Sequence, residues 1–291
     1  MLKNFIHFSQ PLNLLLVGLT YTLGTGIARY LGETTTLTIF WLGLIGIISG
    51  QLGMNLLGEA FRPITEPVPE ELTRTERETL RTTLTLSSIG ALAGAGLIAY
   101  LLQQEGALLP QTILFLGLSL VIIVAYAVPP LRLLDKGYGE FAFAVHLAFV
   151  SPALGFTIQA GVYHRLVGIV SFPLTFMALA YFLVHGFPSF ASDQKYDRRT
   201  LLRVLGWERA VPLHHFLLLA AYLLLASAYF FGVAWGLLWQ AFLTLPFALF
   251  QIWQLRNISL GGHPVWRLLI VNSLAVFGLT TYLLTFAFWL R

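Results

Sequence analysis

Nine runs of mostly apolar residues follow one another along the chain, at roughly 11–31, 36–58, 84–104, 110–128, 139–161, 165–186, 211–231, 233–253 and 267–290. Each has about the 20 residues that an α-helix needs to cross the hydrocarbon core of a bilayer. Gly and Pro fall inside several runs, which membrane helices tolerate better than soluble ones do. Small residues at 24–26 and 90–96 suit close helix contacts. A chain divided in this way is expected to fold as an all-α, polytopic membrane protein with nine transmembrane helices.

Composition agrees. Only 10% of the 291 residues are charged and 57% are hydrophobic, whereas a soluble domain carries about 25% charged residues. So few polar groups cannot cover that much apolar surface in water. There is no cysteine, which excludes disulfides, thiolate catalysis and Cys-ligated metals. The apolar runs are spread evenly, so one membrane domain over 1–291 is expected. The N-terminus MLKNFIHFSQPLNLLL has one Lys before its apolar run and no clear cleavage site, and reads as a retained first helix. The net charge of +4 reflects basic loops rather than a nucleic-acid partner.

The loops test this layout. With the N-terminus and the loops after the second, fourth, sixth and eighth runs on one side, only Arg29, Arg165 and Arg291 of the 17 Lys and Arg fall opposite. The positive-inside rule then puts the N-terminus in the cytoplasm and the C-terminus across a plasma or inner membrane. Of 13 acids, only Glu33 and Glu105 lie opposite. The rule does not require acids to cluster, so their gathering calls for another cause.

Three loops on the charged side carry that cause, at about 59–83, 129–139 and 187–210. In the first, TRTERETLR reads as a helix start, with Thr73 as N-cap and Glu76 as its capping-box partner. The second, YAVPPLRLLDKGYGE, is a proline-broken turn with Arg132 and Lys136. The third, FPSFASDQKYDRRTLLRVLG, sets Asp193 and Asp197 four residues apart, on one face if helical. Paired carboxylates with Arg and Lys close by suit a magnesium-bridged diphosphate, because carboxylates hold a hard cation that also binds phosphate oxygens while basic groups neutralise the rest. An ordinary solvated loop explains the same charges. His146, inside the fifth run, reads either as a satisfied core histidine or as a ligand. His185 lies beside the third loop, within reach of a phosphate, and His214 and His215 are expected at the membrane interface.

At these residues the sequence resembles the UbiA superfamily of membrane prenyltransferases, with the dihydroxynaphthoate prenyltransferase-like members the nearest in flavour. The turn YAVPPLRLLDKGYGE is similar to that family's Tyr-x-x-Pro-Pro-x-Arg-Leu followed by Gly-x-Gly-Glu. FPSFASDQKYDRRTLLRVLG is similar to its second aspartate motif, and QLGMNLLGEAF to the stretch around its first. Three motifs fall in order at the same ends of the expected helices. The sequence departs from the pattern where the family's Asn-Asp pair falls on Gly58 and Glu59, its next Asp on Arg62, and the leading Asp of the second motif on Ser189.

The resemblance implies nine helices in a UbiA-like bundle around a central cavity that opens toward lipid. It implies transfer of a prenyl group from a prenyl diphosphate to a hydrophobic acceptor, of aromatic, quinone or pigment type, with Mg2+ on the diphosphate. Asp193, Glu59 and Asp197 would then be the catalytic, metal-holding acids. Asn55, Arg62, Tyr126, Arg132, Lys136, Ser189, Lys195 and Arg199 would bind or orient the substrate. Two other readings stay open: a non-catalytic relative that binds an isoprenoid, quinone or pigment or serves as a subunit of a membrane complex, and a small transporter. The scarcity of ionisable residues at span centres speaks against the transporter.

Overall fold

The structure is a computed structural model that describes residues 2–62 and 72–291; the stretch 63–71 of the first charged loop lies outside the described residues. Nine helices long and apolar enough to span a membrane are found among them: α1 (Asn4–Tyr30), α2 (Leu37–Ala60), α3 (Arg74–Gln104), α4 (Pro110–Ala127), α5 (Gly139–Ala160), α6 (Arg165–Lys195), α7 (Trp207–Phe231), α8 (Trp235–Ser259) and α9 (Trp266–Trp289). No strand occurs among the described residues.

The expected runs map onto these helices one for one. The differences lie at the charged ends, because backbone hydrogen bonding does not stop where apolar side chains do. α3 starts ten residues before its apolar run, at Arg74, where Thr73 and Glu76 cap it reciprocally as their spacing predicts. α6 continues nine residues past its run to Lys195 and includes Pro188. Asp197 falls just beyond that end, in the left-handed region at φ 55°, so it shares no helical face with Asp193. His214, in the first turns of α7, is buried, and Gln251 of α8 donates to its Nε2 at 3.0 Å.

α5 is the central helix, with 83% of its apolar window inside the bundle against 11% for α3. α1 packs on α5 and α9, α2 on α3, and α6 on α7. Lipid tails are as apolar as Leu, so close packing rather than hydrophobic transfer holds such helices together. Gly155 shows how: a Cβ there would run into the Tyr21 carbonyl of α1. The same approach lets Thr25 Oγ1 donate to Gly155 O at 3.0 Å. Pro152 lacks an N–H, and the turn before it, His146–Val150, widens into a π-helix. Ser151 Oγ donates to His146 O at 2.8 Å within that widened turn.

A directed chain of buried hydrogen bonds crosses four helices. Ser119 Oγ donates to His146 Nε2 at 2.8 Å, and His146 Nδ1 donates to Gln51 Oε1 at 3.0 Å. Gln51 Nε2 donates to Asn55 Oδ1 at 2.8 Å, and Asn55 Nδ2 donates to Ser9 O at 2.9 Å. His146 is thus a satisfied core histidine.

Candidate functional site

At the charged end of the bundle, α1, α4, α5 and α6 enclose a cavity of about 400 Å³. Local sequence explains each wall. α1 breaks at Gln10, which sits at φ 50°, because the ring of Pro11 disfavours the right-handed helical region for the residue before it. Asn55 pins this break through Ser9 O, and Gln10 to Asn13 face the cavity. α4 supplies Tyr126 in its last turn, and α5 supplies Gly139, Glu140 and Phe143 in its first. From α6 come Tyr181, His185, Ser189 and Asp193, at the four-residue spacing that lines one helical face. The chain then doubles back, bringing Arg198 and Thr200 over the opening.

The return is built by specific contacts. Asp193 O accepts from Arg198 N at 2.8 Å and from Arg203 Nη1 at 3.3 Å. Thr200 caps the short helix Leu201–Leu205, its Oγ1 accepting from Arg203 N at 3.4 Å. Phe187 and Leu202 are buried in a satellite core, where Phe187 meets Trp207 edge-on at 4.6 Å between ring centroids.

Polar and apolar groups are segregated within the chamber. Asp193 is 4% exposed, and its Oδ2 accepts from Ser189 Oγ at 2.9 Å. Glu140 Oε1 accepts from Leu201 N at 3.1 Å, while its Oε2 is buried with no hydrogen-bond partner among the described residues. His185 Nδ1 donates to Tyr181 O at 2.8 Å, which leaves the Nε2 lone pair as the free side of the ring. Leu134, Phe143, Tyr181 and Phe182 complete the wall, Tyr181 and Phe182 lying about three turns along α6 from Asp193. The Phe143 and Phe182 rings meet edge-on at 4.7 Å.

Of the residues expected from sequence, Tyr126, Ser189 and Asp193 line this chamber. The others do not. Gly58 packs on Tyr126, where a Cβ would sit 3.3 Å from the ring. Glu59, one residue on, is therefore turned about 100° away, into a small cleft with Phe8, Arg62, Arg77 and Arg81. There Arg62 Nε meets Glu59 Oε2 at 2.7 Å and Arg62 Nη2 donates to Oε1 at 3.2 Å. Asn55 is buried in the polar chain described above. Arg132 pairs with Asp135, and Lys136 donates to Pro130 O at 3.0 Å, so both staple their own turn. Lys195 and Arg199 are exposed, the former over the Tyr196 ring. Asp197 is exposed and pairs with Arg203 Nη2 at 2.6 Å. That hydrogen bond, and then the Arg203 charge, hold its carboxyl below the usual carboxylate range.

Sequence reasoning passed over Glu140, Arg198 and Thr200 as site residues. Glu140 ends the quoted GYGE turn and Arg198 lies in the quoted charge cluster, so both were visible without being separable from their neighbours. Gln10 and Asn13 gave no signal beyond Pro11.

No three Asp, Glu or His side chains converge as a self-sufficient metal cage among the described residues. Mg2+ on a phosphorylated ligand needs less, since one or two carboxylates suffice when phosphate oxygens and water complete its shell. Asp193, with the unpartnered Glu140 oxygen in the same chamber, fits that smaller demand. A second cavity of about 420 Å³ between α2, α3, α4 and α5 has no charged residue in its wall and offers no such fit.

Fold and chamber together define a polytopic helical membrane protein with one amphiphilic cavity at its charged end. No protein-family model matches the sequence, and no curated protein matches it. Solved structures do. A UbiA homologue from Archaeoglobus fulgidus bound to GPP and Mg2+ matches with a TM-score of 0.70 at 16% identity, over 99% of this chain and 100% of that one. A UbiA homologue from the same organism bound to DMAPP and Mg2+ matches at 0.64 and 16% identity, over 98% and 99% of the two chains. A third structure, bound to Cd2+, matches at 0.62 and 16% identity, over 97% and 99%. The chain has the UbiA fold.

Proposed function

We propose that this chain is an intramembrane prenyltransferase of the UbiA type, taking a prenyl diphosphate as donor and a hydrophobic acceptor. The observation that carries the reading is the polarity of the chamber. One end gathers Asp193, Ser189, Arg198 and Thr200, and the other is walled by Phe143, Tyr181 and Phe182. A diphosphate joined to a branched hydrocarbon has that same division. GPP and DMAPP with Mg2+ in the A. fulgidus homologues support the reading.

Asp193 would hold Mg2+, its carboxylate oriented by Ser189. When bound, the ion supplies charge neutralisation for a departing diphosphate. Arg198 and Thr200 face the phosphates, and Lys195 and Arg199 add positive charge on the same loop. The allylic C–O bond breaks with its electron pair leaving on diphosphate. The acceptor then bonds to the allylic carbon and gives up a proton to the released diphosphate. The aromatic wall keeps water from that carbon. The excess of basic residues in the loops at this end of the bundle supports a cytoplasmic orientation for it.

A second reading is favoured by one observation, the diversion of Glu59 onto Arg62. It makes the chain a non-catalytic isoprenoid, quinone or pigment binder, or a subunit of a membrane complex. Transfer of radiolabelled prenyl diphosphate by purified protein, with and without Mg2+, separates the two. The enzyme reading expects Mg2+-dependent transfer that falls roughly 100-fold or more in Asp193→Ala. Absence of any prenylated product, with an isoprenoid or pigment co-purifying, would select the binder.

A further inference from the structure

The geometry points to Glu140, and not Glu59, as the carboxylate that shares a divalent cation with Asp193. This deepens the diphosphate reading of the chamber and rests on it. Three observations carry it.

The first is the state of Glu140 itself. It opens α5 and lines the chamber together with Asp193. Oε1 is committed to the amide of Leu201, which anchors the carboxylate against the returning loop. Oε2 is buried with no hydrogen-bond partner among the described residues. A buried carboxylate oxygen without a hydrogen bond is costly, and beyond the Arg198 charge that already acts on this group a cation or a proton would answer it. Because Oε1 is held by an amide that can only donate, the side chain is presented with one oxygen fixed and the other available.

The second is the state of Glu59, the acid that motif order places in a metal site. The Arg62 guanidinium hydrogen-bonds Oε1 and pairs with Oε2 at 2.7 Å. Although Oε2 has no hydrogen bond among the described residues, its charge is already answered by an ion pair, unlike that of Glu140 Oε2. Its cleft is lined by Phe8, Arg77 and Arg81 rather than by Asp193 or Tyr126. The guanidinium stands where a cation would otherwise neutralise this acid.

The third is the wall between them. Gly58 packs against Tyr126 with less than a methyl group's room to spare. No residue of α2 lines the chamber among the described residues, so α2 brings no acid to it. The one acid that the α4–α5 side contributes to the chamber wall is Glu140. Glu140 and Asp193 are thus supplied by separate helices, α5 and α6, and an ion between them would tie the two together under the diphosphate.

The test uses the full chain in detergent with Mn2+ as the probe and a non-ionisable prenyl thiodiphosphate to complete the shell. Free Mn2+ is read by electron paramagnetic resonance. Glu140→Gln keeps an oxygen for the Leu201 amide and removes the charge; it is expected to weaken Mn2+ binding roughly tenfold or more, as is Asp193→Asn. Glu59→Gln is expected to leave Mn2+ affinity within about twofold, since ligand-sphere changes are what shift it tenfold. Wild-type affinity retained in Glu140→Gln overturns the inference and means that a proton satisfies Oε2. A loss in Glu59→Gln equal to that in Asp193→Asn overturns it as well. If the wild type binds no Mn2+ even with the thiodiphosphate, the inference falls together with the metal-dependent reading. A measurement on the unmodified chain guards against misfolding of the variants. Fe2+ with ascorbate should cleave the backbone beside Glu140 and Asp193 and spare 58–60; cleavage at 58–60 alone would refute the assignment.

Discussion

Ser189 stands where the resembling motif has an acid, and its hydroxyl donates to Asp193 Oδ2. A hydrogen bond to a charged group contributes about 1.5–3 kcal/mol. Ser189→Ala is therefore expected to weaken prenyl-diphosphate binding roughly tenfold while leaving the fold intact. Equilibrium binding in detergent measures it, and an unchanged Kd would make Ser189 a bystander. Asp197 behaves differently, being exposed and engaged by Arg203 outside the chamber. Its folded-state pKa is depressed, so its contribution is fully present above the ordinary carboxylate value of about 3.9 and fades as pH falls through the lower folded value. The melting-temperature gap between wild type and Asp197→Asn should stay constant from neutral pH down to about 5 and close below about 4. A gap that widens on acidification would contradict the pairing. Asp193 was legible in the sequence because two flanking motif residues locate it. Glu59 and Glu140 were not sortable, since nothing in their spacing tells which acid an Arg one turn away captures.

At the scale of elements, the chamber depends on two loops meeting. Gly137 lies in the turn between α4 and α5 at φ 82°, and a Cβ there would come 2.5 Å from Val204 Cγ2. Both the left-handed backbone and the clash oppose a side chain. Gly137→Ala is expected to cost about 1–3 kcal/mol and to separate the α4–α5 turn from the Leu201–Leu205 helix. Thermal unfolding in detergent reads the first effect. Exposure of Glu140 to carbodiimide labelling reads the second, and labelling unchanged from wild type would show the loops still closed. The helices themselves were plain from apolar runs. Their charged extensions at Arg74 and Lys195 were hidden, because hydrogen-bond propagation and capping, not hydropathy, set where a helix ends.

Across the whole molecule, the Ser119–His146–Gln51–Asn55–Ser9 chain ties α4, α5, α2 and α1 together behind the chamber. Gln51→Leu would strand His146 Nδ1–H and Asn55 Oδ1 among buried neighbours. Polar contacts between membrane helices contribute up to about 1.7 kcal/mol each, and this change removes two. A drop of several degrees in melting temperature is expected, with the break at Gln10 loosened through Asn55; a melting temperature equal to wild type would show the chain to be replaceable by apolar packing. The amino-acid sequence alone determined the nine helices, among the described residues, that are long and apolar enough to cross a bilayer, and that their charges gather at one end, because the cost of placing charge and bare backbone in hydrocarbon is decided run by run. Which acids look at one another was decided only by tertiary structure. Each residue turns a helix by about 100°, so the rotation of α2 against Tyr126 sends Glu59 to Arg62, while the folded-back loop after α6 brings Leu201 to Glu140.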